Sequence, residues 1–599
     1  MKRRKTRSAE RLEVRNLLAA DLAVDTDSLT VEDSGAVVVG EASAADDAPV
    51  VSNDGILEAT ETASEVADMQ TDVVLEWNDL FGDLLVADVE NQNPGYASRA
   101  MAMFNLSIYD AVTLVNGDAD DTFYDYSNQL SGLANNANAE LTAAQAAYTV
   151  LSELYPGQQT MLDSMIDATL SSPGNTQETN ASIALGTAIG EVVIEARADD
   201  GSDAVVEYTT TDGIGNFQVD PLNPEVAVWG PAWGDVETFA IDSAESFAPA
   251  TTPAISSEEY ADSYNEVQEL GSVDSQTRTA DQTEAGIFWA YDREGLGTPL
   301  SLYNDVLIEI ATQQGNSLEE NAALFAQTSV AMADAAIVAW HTKFDEEFWR
   351  PITAIREGDA DGNDLTEGDA DWTSLGAPDG GDDIVGFTPQ FPTYISGHAT
   401  FGGALFGAIQ EFYGTDDISF ELESEELAIL LEDPELQEAY GLALDDATRQ
   451  FDSLSEAMAE NGRSRVYLGI HFDFDDLVGQ EVGQAVAQTV ATQFTVAEDD
   501  GFQGIGDANP NRRRMADSGR DIPGQPSGPQ PVQGGQRPAP RGVQAERDAA
   551  DPRRDQRRGG DRNQADAVDS AFRDLGEASF ASPLAQNPLS NGLRNERRR

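Results

Sequence analysis

Between residues 17 and 507 the chain carries ten cationic side chains against 94 acidic ones. A surface so acidic keeps a cation chiefly where an anion must be held. Three of the ten, Lys343, Arg350 and Arg465, sit in segments that also hold the other residue types oxyanion chemistry needs. In KFDEEFWRP, Lys343 and Arg350 are seven residues apart, which on one continuous helix places them two turns apart on one face, ~10 Å between Cα atoms. Arg350 offers a planar fork and Lys343 a point charge, although the same spacing suits an exposed pair of cations beside Asp345, Glu346 and Glu347. In FPTYISGHATFGGALFG, Ser396 and Gly397 stand at a helix entrance, where unsatisfied N–H groups and the positive dipole end form an anion cradle. Ser396 adds a hydroxyl donor, Gly397 lets its N–H approach closely, and His398 stands beside as an acid or base. In GRSRVYLGIHFDFDD, Arg465 adds a guanidinium and His471 an imidazole nitrogen able to bond an electrophilic centre. Asp475, four residues after His471, shares its helical face and suits the other ring N–H. Six residues is not a same-face spacing, so Arg465 and His471 meet only if the chain turns between them; a buried histidine beside an ion pair is the alternative.

The elements that must position these residues are helical. Met101, Phe104, Ile108 and Val112 recur at spacings of three and four within 97–114, and 141–155, 181–197, 318–343, 397–413, 425–431, 438–471 and 477–496 carry similar patterns. Segments 200–235, 244–256 and 357–390 read as long surface loops, and short strand candidates are confined to 204–209. The expected fold class is all-α: helical bundles, two four-helix bundles packed together, with long irregular loops and disordered termini. Pro351 is expected to end or redirect the helix that carries Lys343 and Arg350. His341, the third histidine, lies about 160° around the helix from Lys343 and is not assigned to the site. The acidic loop 358–372 has Asp364 and Ala370 where a calcium loop needs Gly and Glu, so it reads as a solvated loop.

With no cysteine, disulfide frameworks, thiol catalysis and cysteine-ligated metals are excluded, and any metal chemistry uses O or N ligands. The net charge of −74 argues against nucleic acid and anionic lipid as partners. No continuous run of 18 apolar residues occurs, so no membrane-spanning helix is expected. Four segments follow: a basic export-signal-like segment 1–20, an acidic disordered linker 21–75, a helical catalytic domain 76–507 and a disordered Arg/Pro/Gly/Gln-rich tail 508–599. The apolar part of the first is only Leu17–Ala20, short for a secretory signal. Leu12, Glu13, Arg15, Leu17, Leu18 and Ala20 nevertheless resemble the Leu-Glu-x-Arg-x-Leu-Leu-x-Ala segment of exported planctomycete proteins, which implies export to the periplasm, cell surface or medium.

Taken together, Lys343-x6-Arg350-Pro351, then Ser396-Gly397-His398, then Ser464-Arg465-x5-His471 resembles the signature of the vanadium-dependent haloperoxidases and of the phosphatidic acid phosphatase type 2 superfamily that shares their pocket. Ile395 stands where the usual motif has Pro, and the 65 residues between His398 and Ser464 are long for a phosphatase. FWAYD at 288–292 and GTPLSLYN at 297–304 extend the likeness, as do Trp340 and Phe391, which match halide-side aromatic positions. The resemblance implies a vanadate cofactor, with His471 bonding vanadium and Lys343, Arg350, Ser396, Gly397 and Arg465 holding its oxygens. It further implies that His398 takes a proton from hydrogen peroxide, that Lys343 polarises the peroxide, and that Asp292 orients Arg465. Hypohalous acid, or an equivalent oxidised halogen, would then halogenate a small organic acceptor. The alternatives are a phosphomonoesterase with His471 as nucleophile and His398 as leaving-group acid, and an acidic surface protein with a degenerate pocket. The sequence leaves halide preference and assembly, including a homo-oligomer, open.

Overall fold

The computed structural model describes residues 72–494, apart from 89–91, 118, 127–129, 131–133, 172–174, 294 and 381–383. Segment 1–20, most of 21–75 and tail 508–599 lie outside the described residues. Most long helices open on a Ser, Thr, Asp or Asn whose side chain accepts a first-turn N–H, a cap of about 1 kcal/mol. Asp72 caps α1 (Val73–Ala87), Asn93 caps α2 (Pro94–Asn116), and Asn138 caps α3 (Ala139–Leu154). Next come α4 (Gln159–Leu170) and α5 (Thr176–Ala196), then α6 (Glu258–Leu270), α7 (Ala280–Phe288) and α8 (Pro299–Gln314). In α9 (Leu318–Glu346), Ser317 and Glu320 close a reciprocal capping box. The remainder is α10 (Pro351–Arg356), α11 (Gly397–Tyr413), β1 (Phe420–Glu423), α12 (Glu425–Glu432), α13 (Pro434–Tyr440), β2 (Thr448–Phe451), α14 (Leu454–Tyr467) and α15 (Asp473–Ala491).

The packing falls into two groups that share α9. On one flank α9 packs against α2, which continues to α3 and α5; on the other it packs against α11 and α15, with α14 completing that side. Alternating Ala, Leu, Val and Met all around α9 fit burial on every side, and Ala322–Trp340 is buried throughout. By length and composition α9 suffices to cross a membrane, but its apolar window lies wholly inside the fold, where it is a core helix. Small residues set the contact between α11 and α15. A Cβ on Gly403 would meet the Gln480 carbonyl, and one on Gly483 the Thr400 carbonyl, so these glycines let the two backbones touch.

Several expectations are corrected. Among the described residues the loops at 200–235, 244–256 and 357–390 hold only short 3-10 turns and isolated β-bridges, but 204–209 forms no strand. The strands are instead β1 and β2, an antiparallel pair with Phe420 opposite Phe451. Consequently 438–471 is not one helical run. The linker 21–75 ends earlier than expected, because Val73 and Val74 are already buried in α1. Lys343 and Arg350 do not share a helix. The chain leaves α9 through Glu347, whose φ of 46° is left-handed, and Pro351 opens α10 rather than ending its predecessor.

Candidate active site

Four helix ends deliver the site. Lys343 lies in the last turn of α9, Arg350 is the cap residue of α10, Ser396 and Gly397 begin α11, and Arg465 lies in the last turn of α14. After α14 the chain turns at Gly469 (φ 75°) and presents His471 just before α15. That turn, not helical periodicity, brings His471 back toward Arg465. The first turn of α15 is strapped to α11, with Ser396 N–H donating to the Asp475 carbonyl at 3.0 Å. The peptide before Ile395, the position departing from the motif, is cis.

Lys343, Arg350, Ser396, His398, Arg465 and His471 are all buried. Lys343 Nζ donates to the carbonyls of Pro392 and Thr393 at 3.0 and 2.9 Å. Arg350 donates from Nε to the Phe391 carbonyl at 2.9 Å and from Nη1 to the Ile470 carbonyl at 2.8 Å. Arg465 Nη2 meets Asp292 Oδ2 at 2.7 Å. Arg350 Nη2 and Arg465 Nε and Nη1 are nevertheless buried with no acceptor among the described residues. Unpaired buried donors on charged groups are costly, so the arrangement fits an anion with several oxygen acceptors. Burial, reinforced by Arg350, holds the Lys343 ammonium well below the usual lysine range. Burial pushes the Arg350 guanidinium down to about 9, with Arg465 adding to the effect. Like charges this close are the electrostatic signature of an anion site.

Both site histidines have a defined polarity. His471 Nδ1 lies 2.9 Å from Asp475 Oδ2, which also accepts from the Thr393 hydroxyl at 2.5 Å and the Phe472 N–H at 3.0 Å. A carboxylate there assigns the ring proton to Nδ1 and makes Nε2 the lone-pair nitrogen, consistent with Arg350 Nη1 at 3.1 Å from it. His398 has the opposite tautomer: Nε2 faces the carbonyls of Trp289 and Ala290 at 3.1 and 3.2 Å, so Nδ1 is basic. Burial, followed by nearby cations, holds both imidazoles well below their ordinary range. Burial also raises the carboxyls of Asp292 and Asp475, the latter to about 6.

One side of the cluster is aromatic. The Phe391 ring centroid lies 5.1 Å from Lys343 Nζ and 5.0 Å from Arg350 Cζ, and the Trp340 centroid lies 5.8 Å from Lys343 Nζ. The two rings are 5.1 Å apart, and Trp229 packs on Trp340 at 5.0 Å.

Comparison with known proteins decides the family. Residues 61–231 match the model of the vanadium chloroperoxidase N-terminal domain, and residues 323–497 match that of the VCPO second helical-bundle domain. The vanadium chloroperoxidase of Curvularia inaequalis is 30% identical over 466 residues, 65% of this chain and 76% of that protein. The chain belongs to the vanadium haloperoxidase family. A bacterial vanadium-dependent iodoperoxidase shares its fold at a TM-score of 0.56 and 23% identity, over 71% of this chain and 98% of that one. A bacterial vanadium-dependent chloroperoxidase in its holo form does so at 0.52 and 15%, over 68% and 93%.

Every site position drawn from the haloperoxidase resemblance converges here: Lys343, Arg350, Ser396, Gly397, His398, Arg465 and His471, with Asp292 against Arg465 and Trp340 and Phe391 beside the cations. Sequence reasoning missed Thr393, which lies 3.0 Å from His471 Nδ1 and donates to Asp475. It also missed the Trp289 and Ala290 carbonyls. FWAYD was read for its aspartate alone, and main-chain acceptors leave no side-chain pattern to read.

Proposed function

We propose that this protein is a vanadate-dependent peroxidase that oxidises halide with hydrogen peroxide to hypohalous acid or its equivalent. The observation that carries the reading is the buried group of Lys343, Arg350 and Arg465, three of whose guanidinium nitrogens lack an acceptor among the described residues, around two histidines of opposite tautomer. Vanadate bound there supplies Lewis-acid activation of peroxide toward halide without a change of oxidation state.

The protein's own groups do the rest. His471 presents a lone-pair Nε2 as the bonding nitrogen, with Asp475 and Thr393 fixing its ring. Arg350, Arg465, Lys343, Ser396 and the Gly397 N–H hold the oxyanion, a preorganised electrostatic cradle with no reorganisation at the moment of reaction. His398, neutral in this environment, receives the peroxide proton at Nδ1 while the Trp289 and Ala290 carbonyls hold its other N–H. Lys343 polarises the reacting oxygen, and Asp292 keeps Arg465 aimed. Trp340 and Phe391 make the halide side apolar, which lowers the local dielectric and strengthens these interactions.

The oxidised halogen passes to a small organic acceptor. Export rests on the N-terminal resemblance, and 76–507 is the catalytic domain in this reading. Purified protein reconstituted with orthovanadate is assayed for peroxide-dependent bromination of a phenol indicator, beside phosphate-ester hydrolysis without vanadate. Bromination supports the proposal; hydrolysis alone replaces it with the phosphomonoesterase.

A further inference from the structure

The long interval between His398 and Ser464 contains an insert-like excursion between α11 and α14, residues 414–453, that holds β1, α12, α13 and β2. This excursion grips the segment Phe288–Arg293. Ser424 Oγ donates to the Phe288 carbonyl at 3.0 Å, and the Glu425 N–H donates to the Tyr291 hydroxyl oxygen at 2.8 Å. Arg293 pairs with Glu426, Nη2 to Oε1 at 2.6 Å, with the Glu426 side chain fully buried. Trp289 Nε1 donates to Glu460 at 3.1 Å, and Glu460 is held in turn by Arg449 of β2 at 2.7 Å. The gripped segment is the one that serves the site through the Trp289 and Ala290 carbonyls and the Asp292 carboxylate. Tyr291 within it has φ 48°, a left-handed conformation that a non-glycine residue adopts only when its surroundings impose it.

We propose that Glu426 is a positioning residue for the peroxidase reaction: its ion pair with Arg293 clamps Phe288–Arg293, fixing the carbonyls that orient His398 and the carboxylate that orients Arg465. The reaction it serves rests on the haloperoxidase reading, whereas the clamp rests on the contacts alone. A buried ion pair adds little net stability over apolar residues of the same volume, and Glu426 Oε2 is buried with no partner among the described residues. What the pair contributes is therefore geometry.

The test compares Glu426→Ala, Glu426→Gln and Arg293→Met with Asp110→Asn, a buried carboxylate that anchors a different loop. Vanadate-reconstituted enzyme is read for kcat and bromide KM, and vanadate-free protein for the imidazole nitrogen NMR signals, which only three histidines contribute. Glu426→Ala is expected to lower kcat on the order of tenfold, the scale of a small misplacement of catalytic groups, with bromide KM little changed and the His398 Nε2–H signal shifted or broadened. Glu426→Gln, whose amide oxygen still accepts from Arg293, recovers much of both. Asp110→Asn lowers the melting temperature and leaves both readouts in place. Wild-type kcat and His398 signal in Glu426→Ala, or the same changes in Asp110→Asn, overturn the proposal. Arg293→Met breaks the clamp from its more exposed end and decides the matter should Glu426→Ala not fold. If wild type shows no peroxidase activity, the haloperoxidase reading fails while the His398 signal still reads the clamp.

Discussion

Asp475→Asn isolates the hydrogen bond behind His471. In the native site Asp475 Oδ2 accepts three donors, from His471 Nδ1, Thr393 and the Phe472 N–H. The strap to α11 uses the Asp475 main-chain carbonyl, so the substitution leaves that connection intact. An asparagine can offer one amide oxygen in place of Oδ2, but it is neutral, and charge-assisted bonds are roughly twice as strong as neutral ones. If the amide turns the other way, its NH2 faces His471 and drives the ring proton to Nε2, removing the lone pair. Outer partners of a ligating histidine are worth about 10–100-fold in affinity, or about 1.4–2.8 kcal/mol. Isothermal titration of orthovanadate into cofactor-free protein should therefore show a Kd weakened by that factor. Thr393→Val, which removes one donor to Asp475 and keeps its charge, should have the smaller effect. A Kd in Asp475→Asn equal to wild type would refute the claim that this carboxylate sets the polarity of His471.

His471→Ala should abolish vanadate retention, whereas His398→Ala should retain vanadate and lose about 10²–10⁴-fold in turnover; equal vanadate affinity in wild type and His471→Ala, by calorimetry, contradicts the ligand role. Phe391→His should leave bromide oxidation largely intact and weaken any chloride oxidation, because a polar ring admits water beside Lys343; an unchanged ratio of specificity constants at one pH makes Phe391 mere packing. A fragment 76–507 drops the Asp72 cap and buried Val73 and Val74, a loss of roughly 4–7 kcal/mol, so 72–507 should melt well above it while both comparisons use the same assay conditions. Burial pushes Asp110 and Asp476 up to about 7 and Asp334 up to about 6. The folded protein thus holds protons that the unfolded chain releases near pH 4, a contribution complete below that pH and lost as pH rises through 6 to 7. The melting temperature should be higher at pH 5 than at pH 8, and Asp110→Asn should flatten the difference.

The site was legible because the acidic body leaves cations few, so Lys343, Arg350 and Arg465 stand out. The Ser396–Gly397 helix start was equally legible, since a serine before a Gly/Ala/Phe/Leu pattern is a capping signal. What stayed hidden has physical reasons. The stop after α9 lies at Glu347, in a left-handed conformation that sequence normally marks with glycine, so KFDEEFWRP reads as continuous helix. The two paired strands are four residues each, and β2 is too short to interrupt the apolar pattern of 438–471. In α6 the buried apolar face is Tyr260, Ala261, Tyr264 and Val267, a correct helical period diluted by five acidic residues.

Helix α9 also bears on how the chain folds. The second family model begins at residue 323, inside α9, so the boundary suggested by family relationship cuts through a helix whose cap, Ser317, lies on the other side. Because α2 covers one flank and α11 and α15 the other, opening either group bares a strip of Ala, Leu and Val to water. Neither half is an independent folding unit, and the free energies of opening the two are coupled through one buried rod. The amides of α9 should consequently exchange with solvent only on global unfolding, and the described region should melt as one cooperative transition.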